Sequence, residues 1–197
     1  MDTKQTIAAF DFDGTITTKD TLFDFIAFYH GRLGLWLGFF ILSPALVLFK
    51  AKIISNEKAK EIMLSYFFKK QKISCFLEKC DKYKIRINNI VAKEAKEKIL
   101  WHQQQGHTVA IVSASIDLWI KPWAKDLNIE VISTKMDVRN GFITGKLGSK
   151  NCHGQEKVNR LLSEYPHRDQ YTLYAYGDSR GDYELLKLAD YAFYRRF

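Results

Sequence analysis

The chain reads as an α/β protein: a doubly wound parallel sheet carrying an inserted helical cap. Three observations point there. Short, continuously apolar runs recur at 6–12, 107–114, 129–133 and 171–176. Such runs suit strands buried on both faces of a parallel sheet. Amphipathic helical stretches separate them, and strand–helix alternation is the signature of an open α/β sheet. The gap between the first two runs is far too long for a single crossover, so residues 20–87 form an inserted unit. The core then comprises 1–19 and 88–197.

The first run, IAAF, leads straight into DFDGT (11–15). A period of two sends the Asp11 and Asp13 carboxylates to one side of the strand end. Gly14 lets the chain turn away. Adjacent carboxylates repel, and a shared divalent cation removes the repulsion; an all-oxygen site suits Mg²⁺.

Within the insertion, LGLWLGFFILSPALVLF (33–49) is the most apolar tract, with Arg32 before it and Lys50 and Lys52 after it. It is a little short of the roughly 20 residues that a membrane span needs, and Pro44 is expected to interrupt its helix. Three readings stay open: core of the cap, an apolar surface meeting lipid or a lipid-like substrate, or a span.

Residues 88–105 predict one long helix ending before Gly106, with Val91, Ala92, Ala95, Ile99 and Leu100 on one face. The second strand ends in Ser113-Ala114-Ser115, ahead of a helix expected from about Ile116 to Leu127. A hydroxyl beside free helix N-terminal amides is a phosphate seat; the plainer reading of either serine is an N-cap. Asn140-Gly141 between two short strand-like runs predicts a hairpin. Lys157 falls just inside a helix at 156–164, placed to neutralise phosphate. The run at 171–176 ends in Gly177-Asp178, with Asp182 following at the head of a short helix, 182–188. These two carboxylates could complete a cation site.

Composition sets bounds. Of 197 residues, 47% are hydrophobic and 26% charged, which supports a globular core and argues against disorder. The net charge of +8 suits an anionic substrate, membrane or nucleic acid, or simply a solvated lysine-rich surface. No aromatic-and-basic strand pattern points to nucleic acid. Cys75, Cys80 and Cys152 form neither a disulfide framework nor a zinc signature, and suit a reducing compartment. The N-terminal stretch shows no leader pattern. The five histidines lack metal spacing, with His153 the one expected near the phosphate loop. Trp101, Trp119 and Trp123 are expected to pack inside.

Taken in order, DxDGT, serine, lysine and GDxxxD resemble the haloacid dehalogenase superfamily, and the insertion resembles the cap of its phosphoserine-phosphatase-like branch. The run NGFITGKLGSKNCHGQEKV, with the apolar cap segment, is similar to a phosphatidylglycerophosphatase C type subgroup. The resemblance implies a phosphatase with Asp11 as nucleophile and Asp13 as general acid and base. It implies Mg²⁺ held by Asp11, the Asp13 carbonyl and Asp178, with Asp182 in support. Ser113, Lys157 and backbone amides near Gly14 and Ala114 would hold phosphate. Asp20 stands where phosphoserine phosphatases carry a glutamate, and Arg180-Gly181-Asp182 replaces their Asn-Asp pair; both departures weaken a phosphoserine assignment. Asp20 and Trp36 are the candidate specificity residues. The expected substrate is a phosphorylated lipid head group or, alternatively, a small metabolite, in the cytoplasm or at the cytoplasmic face of a membrane. A basic module that binds anionic membrane, nucleic acid or another anion without turnover is the non-enzymatic alternative.

Overall fold

A computed structural model describes residues 5–197; the leader reading rests partly on residues outside that range. Five parallel strands form the central sheet in the order β3-β2-β1-β6-β7. They are β1 (Gln5–Phe10), β2 (Thr108–Ile116), β3 (Glu130–Thr134), β6 (Tyr171–Gly177) and β7 (Tyr191–Tyr194). β1 lies between β2 and β6, so the chain order reverses there and opens a crevice at the strands' carboxyl ends. Ile7, Ala8, Ala9 and Phe10 are fully buried, as a central strand with helices on both faces requires. The predicted hairpin forms from β4 (Met136–Arg139) and β5 (Phe142–Leu147), and its loop residues Asn140 and Gly141 both have φ > 0.

The helices between strands depart from expectation at one place. Residues 88–105 are not one helix: α3 (Ile73–Asn88) stops and α4 (Lys93–Gln104) starts afresh. The segment between them is pinned to the loop after β1, through Thr18 N to Ile90 O (2.8 Å) and Ala92 N to Ile16 O (2.9 Å). Helix α5 runs Asp117–Asp126 and α6 runs Gln155–Glu164. A 3-10 turn at Arg180–Asp182 precedes α7 (Tyr183–Leu188).

The insertion holds α1 (Thr21–Lys50), α2 (Asn56–Phe68) and α3. Pro44 does not break α1. Proline there frees the Phe40 carbonyl, and the Ser43 hydroxyl donates to that oxygen at 2.8 Å. The break falls instead at Gly31 (φ 77°, ψ 164°). It divides α1 into a first half, 21–30, and an apolar arm, 32–50, that folds back alongside it: the Phe23 and Phe39 rings are 5.3 Å apart. Phe25 anchors the first half, ringed by Phe68, Phe76, Tyr83 and Trp119. The β4–β5 hairpin also closes on the cap, with Ile73 N bonded to Gly141 O and Ile143 N to Gln71 O, each at 2.9 Å.

Candidate active site

The crevice gathers the residues that sequence singled out. Asp11 follows β1 directly, and its amide donates to Tyr176 O of β6 at 2.9 Å, which fixes the strand end. Lys157, on the first turn of α6 and 1% exposed, donates to Asp11 Oδ1 (2.7 Å) and Asp182 Oδ1 (2.5 Å). Burial pushes the Lys157 ammonium down, yet Asp11 and Asp182 together hold it above its ordinary range. Burial pushes Asp11 up to about 6, against the pull of Lys157. Among the described residues, no donor reaches Asp11 Oδ2.

Asp182 is held on both sides. Its Oδ2 accepts from Asp178 N, Ser179 N and Ser179 Oγ, while Oδ1 takes Lys157. Burial works to raise it, but Lys157 and the Ser179 hydrogen bonds keep it below the usual carboxylate range. Both oxygens are therefore occupied, and the side chain positions Lys157 and the loop after β6.

Asp13 is the second engaged carboxylate. Its Oδ1 accepts from Thr21 N (2.8 Å) and Thr21 Oγ1 (2.6 Å), and Oδ2 accepts from Ser115 Oγ. Burial, then Asp20, push it up to about 6 against those hydrogen bonds. Both of its carboxylate oxygens are thus engaged.

The oxygens of Asp11, Asp178 and Asp182 come within 4.8 Å of one another. Thr15 Oγ1 donates to Asp178 Oδ1 at 3.3 Å. Gly14 (φ +76°) lets the backbone close over this cluster, since a Cβ there would lie 2.5 Å from Asp178 Oδ2. A partly buried set of carboxylate oxygens fits a hard divalent cation such as Mg²⁺.

Four expectations need correction. Ser113 is not beside helix N-terminal amides: β2 runs on through Ser115, and the residue capping α5 is Ile116. Neither serine is therefore an N-cap. Ser113 Oγ accepts from Ser115 N at 3.2 Å and is 1% exposed. The Gly14 amide donates to Thr17 O at 2.8 Å, so it is not free for phosphate. Trp36 does not line the crevice pocket; it is exposed in a separate cleft with Lys19, Arg32 and Arg86. Trp119 and Trp123 are buried as expected, but Trp101 is partly exposed under Lys98.

Beside Asp13 lies a pocket of about 320 Å³. Asp13, Asp20, Lys60, Ser115 and His153 give it polar groups, and Leu46, Phe49 and Met63 give it an apolar wall. Asp20 caps α1, accepting from Leu22 N and Phe23 N. Lys60 on α2 donates to Ala114 O (2.7 Å) and Asn151 Oδ1 (2.9 Å), tying the cap to the end of β2 and to the loop before α6. Sequence reasoning missed Thr21, Lys60 and Ser115. Only Ser115 carried a signal, as the second hydroxyl at the end of β2.

Residues 8–187 match the haloacid dehalogenase-like hydrolases. The chain belongs to the haloacid dehalogenase-like hydrolase family. Protein CicA of Caulobacter vibrioides (strain NA1000 / CB15N) is similar to it, 33% identical over 205 residues, covering 97% of this chain and 86% of the relative. A Bordetella pertussis Tohama I protein of unknown function shares the fold with a TM-score of 0.82 at 20% identity, covering 94% of this chain and 87% of that one. A substrate-bound phosphoserine phosphatase aligns with a TM-score of 0.63 at 20% identity, covering 95% and 84%. The chain is thus a hydrolase of this family with the fold of its phosphatases, and the crevice at the carboxyl ends of β1, β2 and β6 is where that fold places ligands.

Proposed function

We propose that this hydrolase cleaves a phosphomonoester through an aspartyl-phosphate on Asp11. The observation that carries the reading is the pairing of two differently held carboxylates. Asp11 has one oxygen fixed by Lys157 and the other free; Asp13 is aimed by Thr21 and Ser115. Asp11 Oδ2 attacks phosphorus, and the bond to the leaving oxygen breaks. Asp13 gives its proton to that alkoxide, releasing the alcohol. Asp13 then takes a proton from water as the water attacks phosphorus. The phosphorus–Asp11 bond breaks, inorganic phosphate forms, and both carboxylates return to their starting states.

Lys157 neutralises the phosphoryl oxygens, and Ser113 holds one of them. Asp11, the Asp13 carbonyl and Asp178 would hold Mg²⁺, which when bound neutralises charge on the phosphoryl group. Asp182 acts through Lys157. Asp20 and the Lys60 pocket face the leaving group.

For the substrate, the apolar wall of Leu46, Phe49 and Met63 beside Asp13 supports a phosphorylated lipid head group, as in a phosphatidylglycerophosphatase C type enzyme, with contact to the cytoplasmic face of a membrane through 33–49. The partly exposed Asp20 at the same pocket supports the second reading, a small amine-bearing ester such as phosphoserine.

The test is Mg²⁺-dependent phosphate release from an aryl phosphate, phosphoserine and phosphatidylglycerophosphate in detergent micelles, with Asp11→Asn as control. Release that needs both the metal and Asp11, with the lipid preferred, is expected. Release that survives Asp11→Asn would sink the mechanism, and a preference for phosphoserine would move the substrate to the second reading.

A further inference from the structure

The apolar arm of α1 has two faces with different fates. Leu35, Phe39, Leu42 and Leu46 turn inward and pack on the core. Gly38 lies so close to α2 that a Cβ there would meet the Phe67 ring at 2.1 Å. The outer face carries Leu33, Leu37, Phe40, Ile41, Val47 and Leu48, all exposed, Leu33 and Phe40 at 80%. These positions recur at helical spacing and form one continuous stripe. No charged residue interrupts 33–49. An exposed apolar stripe of this extent marks an interaction surface.

The arm is about 28 Å long, just under the roughly 30 Å of a bilayer core, and α1 as a whole is long and apolar enough to cross one. Crossing would strip the inner face from Phe67 and Phe23. A helix docked on its own protein along one face and bare along the other suits a membrane differently: it lies in the plane of the interface. Charge identifies the membrane. Arg32 stands at one end of the stripe and Lys50 and Lys52 at the other, and the chain is net +8. At the Arg32 end, Lys19, Arg32 and Trp36, with Asp20, Asp24 and Arg86, border a cleft of about 460 Å³, which puts an indole and cations beside the apolar stripe, the residue types that favour a membrane interface.

We propose that the arm is an in-plane docking face for an anionic phospholipid bilayer. Lys19, Arg32, Lys50 and Lys52 engage lipid phosphates at its two ends. Leu46 and Phe49 of the same helix line the pocket beside Asp13, so docking sets the pocket mouth at the lipid surface. That last step rests on the proposed phosphatase reading; the docking itself does not.

The experiment is co-sedimentation of the full chain, wild type and Asp11→Asn, with phosphatidylglycerol/phosphatidylcholine vesicles and with pure phosphatidylcholine vesicles. Both proteins should bind the anionic vesicles at least tenfold more tightly, less so at high salt, and alkaline carbonate should release them. Phe40→Asp, and separately Arg32→Glu with Lys50→Glu, should weaken binding at least tenfold while hydrolysis of a soluble aryl phosphate is unchanged. Absent binding, binding indifferent to Phe40→Asp, or equal affinity for neutral vesicles would overturn the proposal. So would retention through carbonate, which means a span, or a Phe40-dependent dimer that ignores vesicles. Docking without any hydrolysis would count against the phosphatase reading and leave the docking face standing.

Discussion

Lys157 Nζ lies 2.7 Å from Asp11 Oδ1, in a site where the lysine is 1% exposed. The same ammonium holds Asp182, so one buried cation balances two carboxylates. Removing one partner of a buried ion pair leaves uncompensated charge, which costs about 3–5 kcal/mol. Lys157→Met should therefore lower urea-unfolding stability at pH 7 by about that amount. It should also lower kcat/KM for any phosphomonoester by about 10²–10³, the scale of losing one charge-stabilising donor. Lys157→Arg should not rescue activity, because a planar guanidinium cannot replace a compact ammonium between two fixed oxygens. A Lys157→Met protein as stable as wild type would contradict the balance argued from the geometry.

Ser115 Oγ donates to Asp13 Oδ2, and Thr21 donates to Oδ1. Ser115 thus positions the proposed acid, whereas the proposed role of Ser113 is to hold a phosphoryl oxygen. The two serines should separate by leaving group. Ser115→Ala should cost about 10²-fold in kcat/KM on an alkyl phosphate, the low end of what general acid–base catalysis contributes. It should cost far less on p-nitrophenyl phosphate, whose leaving group needs little protonation. Ser113→Ala should slow both substrates alike. Equal losses from Ser115→Ala on the two esters would remove it from the acid's support.

His102 is fully buried between His107 (Nδ1 to Nδ1, 2.8 Å) and the Tyr176 hydroxyl (3.0 Å). Burial, then His107 and Lys98, lower its pKa to about 3 from 6.5. The unfolded chain binds this proton first as pH falls. The contribution to stability is whole above about pH 6.5 and drains away toward pH 3, reaching up to about 3 kcal/mol by pH 4. Asp11 and Asp13, raised to about 6, work the other way as they take up protons below pH 6, so the histidine is read from the difference between proteins: relative to His102→Gln, the wild type should lose melting temperature steadily from pH 6.5 to 4. A wild-type-minus-variant difference that stays level across that window would refute the assignment.

The parts of this fold that could be read from sequence are those with local causes. The apolar runs place β1, β2, β3 and β6 to within a residue or two, because the central strands β1, β2 and β6 are largely buried on both faces, while the edge strand β3 still carries Val131 and Ile132 side by side. β7 (Tyr191–Tyr194) gave no such signal; it is a short edge strand with three exposed tyrosine and alanine side chains. The α1 break was sought at Pro44, but Ser43 satisfies the carbonyl that proline frees, and the positive φ of Gly31 makes the turn. In the site, Asp11, Asp13, Asp178 and Lys157 announce themselves through strand ends and motif spacing. Thr21, Lys60 and Ser115 act through partners far away in the chain, and no local pattern reports a contact between Lys60 and Asn151.

Gly14 and Gly106 offer a controlled pair for the cation site. Both have similar positive φ, +76° and +73°, so alanine strains the backbone equally at either position, by about 1–2 kcal/mol. Their surroundings differ. A Cβ at Gly106 meets nothing within 4 Å, whereas one at Gly14 would press on Asp178 at 2.5 Å. Gly106→Ala should lower the melting temperature and leave the Mg²⁺ dependence of hydrolysis untouched. Gly14→Ala should lower it at least as far and also raise the half-saturating Mg²⁺ concentration at least tenfold, because Asp178 must move away. Titrating Mg²⁺ against both stability and rate separates the two effects. If the variants shift together, Gly14 matters only for its backbone, and Asp178 is not held where a shared cation would need it.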